Sequence, residues 1–316
     1  MSELLAIVPT LGASPHLADA LAALRAQAGE RLTIAVVWQG AGPPPAACAA
    51  ADRLLTPGRN LGFAAAVNLA LAADSAPLVA LVNDDALLAP GWLAATRAEL
   101  GPEVAAVQGV NLDLARPDRL DGWGLGWNRW WQAVQLGHGE PAATAPTAPC
   151  ELFGVSATAA LYRREALDAA CRRPGEWFDP ALFAYYEDVD LACRLRAAGF
   201  RARLAPAART RHAGSLTGRR LGGVRRRWIH AHRLAVLARL FGRGFWLRLP
   251  WFALRDGADA LRLAAGGDLA GAAAVAAGWL RAAALLPRFA HRGPPLLPLA
   301  GLARFRVGSP GWPAPS

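Results

Sequence analysis

Leu78-Val79-Ala80-Leu81-Val82-Asn83-Asp84-Asp85 is an apolar run that ends abruptly in an amide and two carboxylates. The uncharged run Pro77–Val82, closed by polar residues, reads as a buried strand. Leu4–Val8, Leu32–Trp38 and the shorter Leu54–Thr56 have the same character, and Leu17–Gln27, Phe63–Ala73 and Pro90–Leu100 repeat apolar residues at helical spacing between them. Strands alternating with helices give the βαβ rhythm of a mainly parallel central sheet flanked by helices, an α/β fold. Ligands of such sheets sit beyond the carboxyl ends of the strands, which is where Asn83-Asp84-Asp85 falls.

About a hundred residues further on stands a second acidic cluster, Glu187-Asp188-Val189-Asp190. Carboxylates beside apolar segments are costly unless they hold a cation, a proton or a partner charge, so each cluster marks a candidate site. A helix over Glu187–Ala198 places Asp188, Leu191 and Leu195 on one face, and pairs Asp190 with Arg194 on another. Asp188 is then partly desolvated, with a pKa raised toward the range of a general base. The competing reading is that Glu187 and Asp188 complement the positive end of the helix. The triplet also has two readings. Mg²⁺ or Mn²⁺ commonly binds through one or two carboxylates plus substrate phosphates, for which Asp84 or Asp85 is the anchor; the same residues also form a turn with an Asx cap.

With 316 residues, 54% of them hydrophobic, the chain can build a large core, as one domain with an appendage or as two domains. All 34 basic residues are Arg, a bias that reads as genome composition. Their distribution is more telling. Residues 1–200 hold 14 Arg against 21 acids, whereas residues 201–316 hold 20 Arg against 3 acids, net −7 and +17. The four cysteines lack CxxC spacing and the N-terminus carries no signal-peptide pattern, so a reducing, cytoplasmic setting is expected.

Asn111 to Pro149 is rich in Gly, Pro and Trp, with Trp123, Trp127, Trp130 and Trp131 clustered; it reads either as a β-excursion covering the sheet or as a substrate-facing wall. After residue 218 the chain turns basic and helical. Arg219-Arg220, Arg225-Arg226-Arg227 and Trp228, followed by Trp246 and Trp251, read as interfacial helices on an anionic membrane or as a helical subdomain with solvated arginines. The clean apolar stretch Leu269–Leu280 stops at Arg281, short of the roughly 20 residues a span requires, so a peripheral association is expected. Nucleic-acid binding beside a degenerate catalytic domain is the other reading of the charge, but no nucleic-acid motif appears.

Phe178-Asp179-Pro180-Ala181-Leu182-Phe183-Ala184-Tyr185-Tyr186-Glu187-Asp188-Val189-Asp190-Leu191, followed by Arg194, Gly199-Phe200, Pro206 and His212, resembles the family 2 glycosyltransferases, nearest to their rhamnosyltransferase-like branch. Asn60-Leu61-Gly62-Phe63 with Asn68, the Asn83-Asp84-Asp85 triplet, and Gly154 followed by Leu161-Tyr162-Arg163-Arg164 match in the same order, covering Leu4 to Ser215. The resemblance implies a GT-A fold over residues 1–218, with a Rossmann-like donor half over about 1–110, an acceptor half over about 111–218, and a helical region over 219–316. It implies an inverting transfer from a nucleotide-sugar donor to a glycan or lipid-linked acceptor, with rhamnosyl transfer in cell-surface polysaccharide synthesis as the form its nearest branch suggests. Carried over, Asp188 is the catalytic base with Glu187 beside it, and Asp85 with His212 holds Mg²⁺ or Mn²⁺. Pro9, Thr10, Gln39, Arg59, Asn60, Gly62, Asn68, Asn83 and Asp84 are expected at the donor, and Gly154, Trp177 and Tyr186 at the acceptor. A metal-dependent nucleotidyltransferase is the rival reading, although it gives the Tyr185-Tyr186-Glu187-Asp188 segment no necessary role.

The loop residues also have a reading of their own. Gly62 permits close backbone approach and Asn60 can cap the following helix, bringing amides and Arg59 toward a diphosphate. Where the family carries Asp-Asn after its second strand, this chain has Trp38-Gln39-Gly40. Gln39 can still bond a nucleotide base, while Trp38 either stacks on one or fills the core.

Overall fold

A computed structural model of the chain describes residues 3–27, 31–214 and 216–307. The first half follows the expected rhythm: β1 (Leu4–Thr10), α1 (Leu17–Arg25), β2 (Leu32–Trp38), β3 (Arg53–Leu55), α2 (Phe63–Ala72) and β4 (Leu78–Val82). Strands β4, β1, β2 and β3 lie side by side and all parallel, with Leu4 of β1 opposite both Leu32 and Leu78. Alternation along β1 decides what each face buries. Leu5 and Ile7 pack under α2, whereas Leu4, Ala6 and Val8 pack under α1.

Beyond β4 the sheet becomes mixed. A short β5 (Ala86–Leu88), α3 (Trp92–Ala98) and a long β6 (Val104–Asp113) follow, and then the Trp-rich segment forms β7 (Leu120–Gly122) and the hairpin β8 (Leu125–Trp127) with β9 (Ala133–Gln135). This is the β-excursion reading: Trp123 and Trp127 are buried as core residues. After β10 (Glu151–Leu152) come β11 (Ala159–Arg163), α4 (Arg164–Ala169), α5 (Glu187–Ala197) and β12 (Arg201–His212). Strand β11 inserts antiparallel between β4 and β6, and β12 runs parallel to β6 on its other side.

The remaining helices are α6 (Leu216–Phe241, kinked at Gly222), α7 (Gly244–Ala265), α8 (Leu269–Phe289) and α9 (Leu299–Ala303). The side chains of Arg219 and Arg220 lie outside the described residues. Helices α6, α7 and α8 share a core with Val189, Ala192 and Cys193 of α5 and with Leu125 and Trp127 of the hairpin. The expected boundary at residue 218 is therefore not a break in packing. Helix α8 also runs through Arg281, and at 21 residues it is long and apolar enough to cross a membrane by length and composition. Arg281, a good helix former, continues it, and its Nε lies 3.5 Å from His232 Nε2 of α6.

Candidate active site

Parallel pairing of β1 with β4 sets their carboxyl ends side by side, so Thr10 meets the acidic triplet. Its hydroxyl donates to Asp84 Oδ2 at 2.5 Å and accepts from the Gly12 N–H at 2.9 Å. The triplet is a tight turn between β4 and β5, closed by Ala86 N–H donating to Asn83 O at 3.1 Å. Burial pushes the Asp84 pKa up to about 6; the Thr10 hydrogen bond opposes this and the neighbouring Asp85 charge adds to it.

Antiparallel pairing of β5 with β12 places His212 opposite Ala86, directly beside the turn. Its Nε2 lies 3.1 Å from Asp85 Oδ1 and its Nδ1 2.9 Å from Asp121 Oδ2. Burial disfavours charge on His212, but the hydrogen bonds it donates to Asp121 and Asp85 outweigh it and push the pKa up to about 10. Among the described residues no group of three or more His, Cys, Asp or Glu side chains converges as a complete metal shell. The pair Asp85 and His212 nonetheless fits a cation that takes its remaining ligands from phosphates and water. If Nε2 held such a cation, Nδ1–H would donate to Asp121, and that carboxylate would orient and polarise the imidazole. Asp121 escaped sequence reasoning because nothing in its spacing reveals a contact made across 91 positions.

The base end is built differently. Phe183, Tyr185 and Tyr186 all have positive φ, 51°, 67° and 71°. Left-handed backbone costs a non-glycine residue roughly 1–3 kcal/mol and persists only where surroundings over-determine it. Those surroundings are visible. Phe183 O accepts from Ala64 N–H at 3.2 Å, and the Tyr186 hydroxyl accepts from Ala133 N–H at 3.2 Å. His232 Nδ1 lies 3.0 Å from both Ala184 O and Tyr185 O. Burial lowers the His232 pKa to about 4, which fixes the ring as neutral with Nδ1–H as the donor.

Helix α5 starts immediately after this segment. Glu187 is buried and its Oε2 has no hydrogen-bond partner among the described residues. Asp188 keeps partial access to solvent. Burial raises the proton affinity of both carboxyls, and the Asp188 charge raises Glu187 further. Backbone N–H groups of Val189 and Ala157 bond the Asp188 carboxylate and moderate its rise. The next residue, Thr158, accepts from the Asn83 N–H at 2.9 Å. Consecutive residues of one loop therefore hold the two acidic clusters.

The other expected residues divide between site and support. Asn60 does not cap α2, whose N-cap is Gly62; its Oδ1 accepts from Gly62 N–H at 2.9 Å, forming an Asx turn. Gly62 has φ 82°, and a Cβ there would lie 2.5 Å from the Phe183 ring, so the loop abuts the strained segment. Gln39 Oε1 accepts from Leu61 N–H at 2.8 Å and holds that loop, with exposed Arg59 on its outer side. Pro9 is buried within β1. Trp38 fills core space over Gly12 and Gly40.

Four expected contacts prove to be engaged internally. Asn68 spends both amide atoms on the Phe178 backbone, at 2.7 and 2.9 Å. Gly154 is buried where a Cβ would lie 2.4 Å from Ala192 Cβ, so it seats α5. Trp177 Nε1 donates to Asp168 Oδ1 at 2.6 Å. Tyr186 packs inward, as its bond to Ala133 shows.

Asp190 pairs with Arg194 Nε at 2.9 Å as the helix spacing predicts, and also with Arg239 of α6. Asp179 accepts from Arg239 at 2.8 Å and from Arg288 of α8 at 2.9 Å. Part of the basic tail thus neutralises the acidic half instead of facing solvent.

Two solved structures share this architecture. One is a mannosyltransferase, PcManGT from Pyrobaculum calidifontis, in complex with GDP-Man and Mn²⁺, with a TM-score of 0.51 at 19% identity over 89% of this chain and 87% of that one. The other is GalNAc-T7 with UDP, GalNAc and Mn²⁺, with a TM-score of 0.53 at 10% identity over 67% of this chain and 44% of that one. At such identities they show the fold, which is GT-A. No curated protein matches the sequence. Residues 2–231 match the family described as "Glycosyltransferase like family 2", and the chain belongs to that family.

Proposed function

We propose that the protein is an inverting, metal-dependent transferase that moves a sugar from a nucleotide-diphosphate donor to a hydroxyl of a glycan or lipid-linked glycan. The observation that carries this reading is the Ala157-Thr158 pair, which brings the half-buried base candidate Asp188 and the Asn83-Asp84-Asp85 turn to one loop. Asp188, ionised, takes the proton from the acceptor hydroxyl. The hydroxyl oxygen attacks the anomeric carbon, and the bond from that carbon to the diphosphate oxygen breaks with its electron pair leaving on the diphosphate. Attack opposite the leaving group inverts the centre. Thr10, Asn83 and Asp84 orient the donor, assisted by Arg59, Asn60 and Gly62 from the loop that Gln39 holds. Asp85 and His212 would hold Mg²⁺ or Mn²⁺, which would neutralise charge developing on the diphosphate. Nucleotidyl transfer would leave Asp188 without a role.

The resemblance to the rhamnosyltransferase-like branch suggests rhamnosyl transfer in cell-surface polysaccharide synthesis on the cytoplasmic side as the specific form of this reaction. A thermal-shift screen of nucleotide sugars with and without Mn²⁺ tests the donor reading, and NMR of the product anomer tests inversion. A selective, Mn²⁺-dependent shift that disappears in Asp85→Ala is expected. No shift with any nucleotide sugar, or retention at the anomeric carbon, would contradict the proposal.

A further inference from the structure

The outer side of the C-terminal helices is apolar to a degree that the core does not explain. On α7, Leu247 is 84% exposed, Leu254 67% and Leu261 72%, with Trp246 and Trp251 about half exposed between them. Spacings of four, three and seven from Leu247 through Trp251 and Leu254 to Leu261 put these side chains on one stripe, roughly 21 Å long at about 1.5 Å per residue. Leu269 and Leu280 of α8 are exposed as well. No carboxylate interrupts the stripe: Asp256 is buried against Arg233 and Asp259 is paired with Arg262. Cations frame it instead. Arg243 stands just before α7, Arg262 lies in its last turn, and Arg129 sits over the Trp130 ring, which stacks on Trp251 at 4.8 Å.

We propose that the α7 stripe, continued by the outer face of α8, docks on the surface of an anionic lipid bilayer. A contiguous apolar face rimmed by arginine and tryptophan matches the boundary between acyl chains and anionic headgroups. A second copy fits poorly, because it would set Arg129, Arg243 and Arg262 around the stripe of one molecule against the same cations of the other. The inner side of α8 is committed to the bundle: a Cβ on Gly278 would lie 2.8 Å from His230 Cβ. This surface differs from the one the sequence suggested, since Trp228 packs against Phe183 and Arg225 lies over the Tyr185 ring, toward the acceptor end. Its placement has a consequence that rests on the transferase reading. Trp251 touches the β8–β9 turn, whose Ala133 bonds Tyr186 just before Glu187-Asp188. Docking sets the acceptor end beside the bilayer, where a lipid-linked acceptor would emerge.

Sedimentation of the purified full chain with phosphatidylcholine vesicles, with and without phosphatidylglycerol, tests the surface. Binding only to the anionic vesicles at low salt is expected, weakening about tenfold or more in Leu247→Glu/Leu254→Glu, and to a smaller extent in Arg243→Glu. Both variants alter exposed positions and should keep the wild-type melting temperature. Absence of anionic-vesicle binding, binding indifferent to Leu247→Glu/Leu254→Glu, or a dimer dissociated by those changes would overturn the proposal. Retention through a carbonate wash would overturn it in favour of α8 crossing the bilayer. Asp188→Asn should bind vesicles as wild type does, so failure of docking and failure of the transferase reading are separable.

Discussion

At the proposed donor end, Thr10 and the Asn83-Asp84-Asp85 turn project from neighbouring parallel strands with ordinary backbone conformations. At the proposed acceptor end, Asp188 follows three left-handed residues and depends on clamps from remote elements: Ala64, Ala133 and His232. The first end is produced mainly by sheet topology. The second is produced by tertiary contact, and the C-terminal helices are part of it. A nucleotide can be cradled by backbone that any such sheet supplies, whereas a base must be held at one position while its carboxyl is kept partly dry.

The sharpest break in this comparison is Asp188→Asn. Removing a general base is expected to cost about 10²–10⁴ in kcat, while the nucleotide-sugar Kd, set at the other end, stays unchanged. Because burial raises the Asp188 pKa and the base acts ionised, the wild-type rate should rise with pH through a midpoint above the ordinary carboxylate range of about 4. A turnover indifferent to Asp188→Asn would remove it as the base.

Next in size is Arg239→Ala. It leaves Asp179 and Asp190 buried with fewer cations, and breaking a buried ion pair from one side costs roughly 3–5 kcal/mol. Urea unfolding should show a loss of that order. A loss below about 1 kcal/mol, the scale of an exposed pair, would mean that α6 and α8 are not anchored through these carboxylates.

His232→Ala is more selective. It deprives Ala184 O and Tyr185 O of their shared donor, a loss of about 1 kcal/mol for part-buried carbonyls. The strained segment should relax, lowering kcat while donor affinity holds. Equal losses in kcat and donor affinity would show that the two ends are not independently held.

These asymmetries also explain what could be read in advance. β2 matches expectation residue for residue, and β4 and α2 to within one, because each is an uninterrupted apolar or periodic run bounded by punctuation. β12 could not be read in that way. Its Arg201–His212 sequence mixes arginines with alanines and breaks register between Leu204 and Arg209, around Pro206, yet that strand delivers His212 to Asp85. At the site, the triplet and Glu187-Asp188 were visible as carboxylates out of place, and the Asp190–Arg194 pair as helical spacing. Asp121, His232 and the Ala157-Thr158 pair were not, since their roles exist only across long sequence separations. For the same reason Arg233, Arg239 and Arg288 look solvated in sequence but are bonded to carboxylates in the fold.

The smallest expected effect tests whether the donor end is as independent as its topology suggests. Thr10→Val keeps the shape of the side chain and removes the hydroxyl that favours ionised Asp84. Folded Asp84 binds its proton more tightly than an unfolded carboxyl would, so its contribution to stability is fully present below pH about 4 and is lost as pH rises through about 6. Without the hydroxyl the folded pKa moves higher still, and the native state loses about 1 kcal/mol more at neutral pH than in acid. Unfolding of wild type and Thr10→Val compared across that window should therefore diverge as pH rises, with the kcat of the acceptor end changed only through donor affinity. Parallel stability curves would mean that Asp84 is held by the turn itself and not by the end of β1.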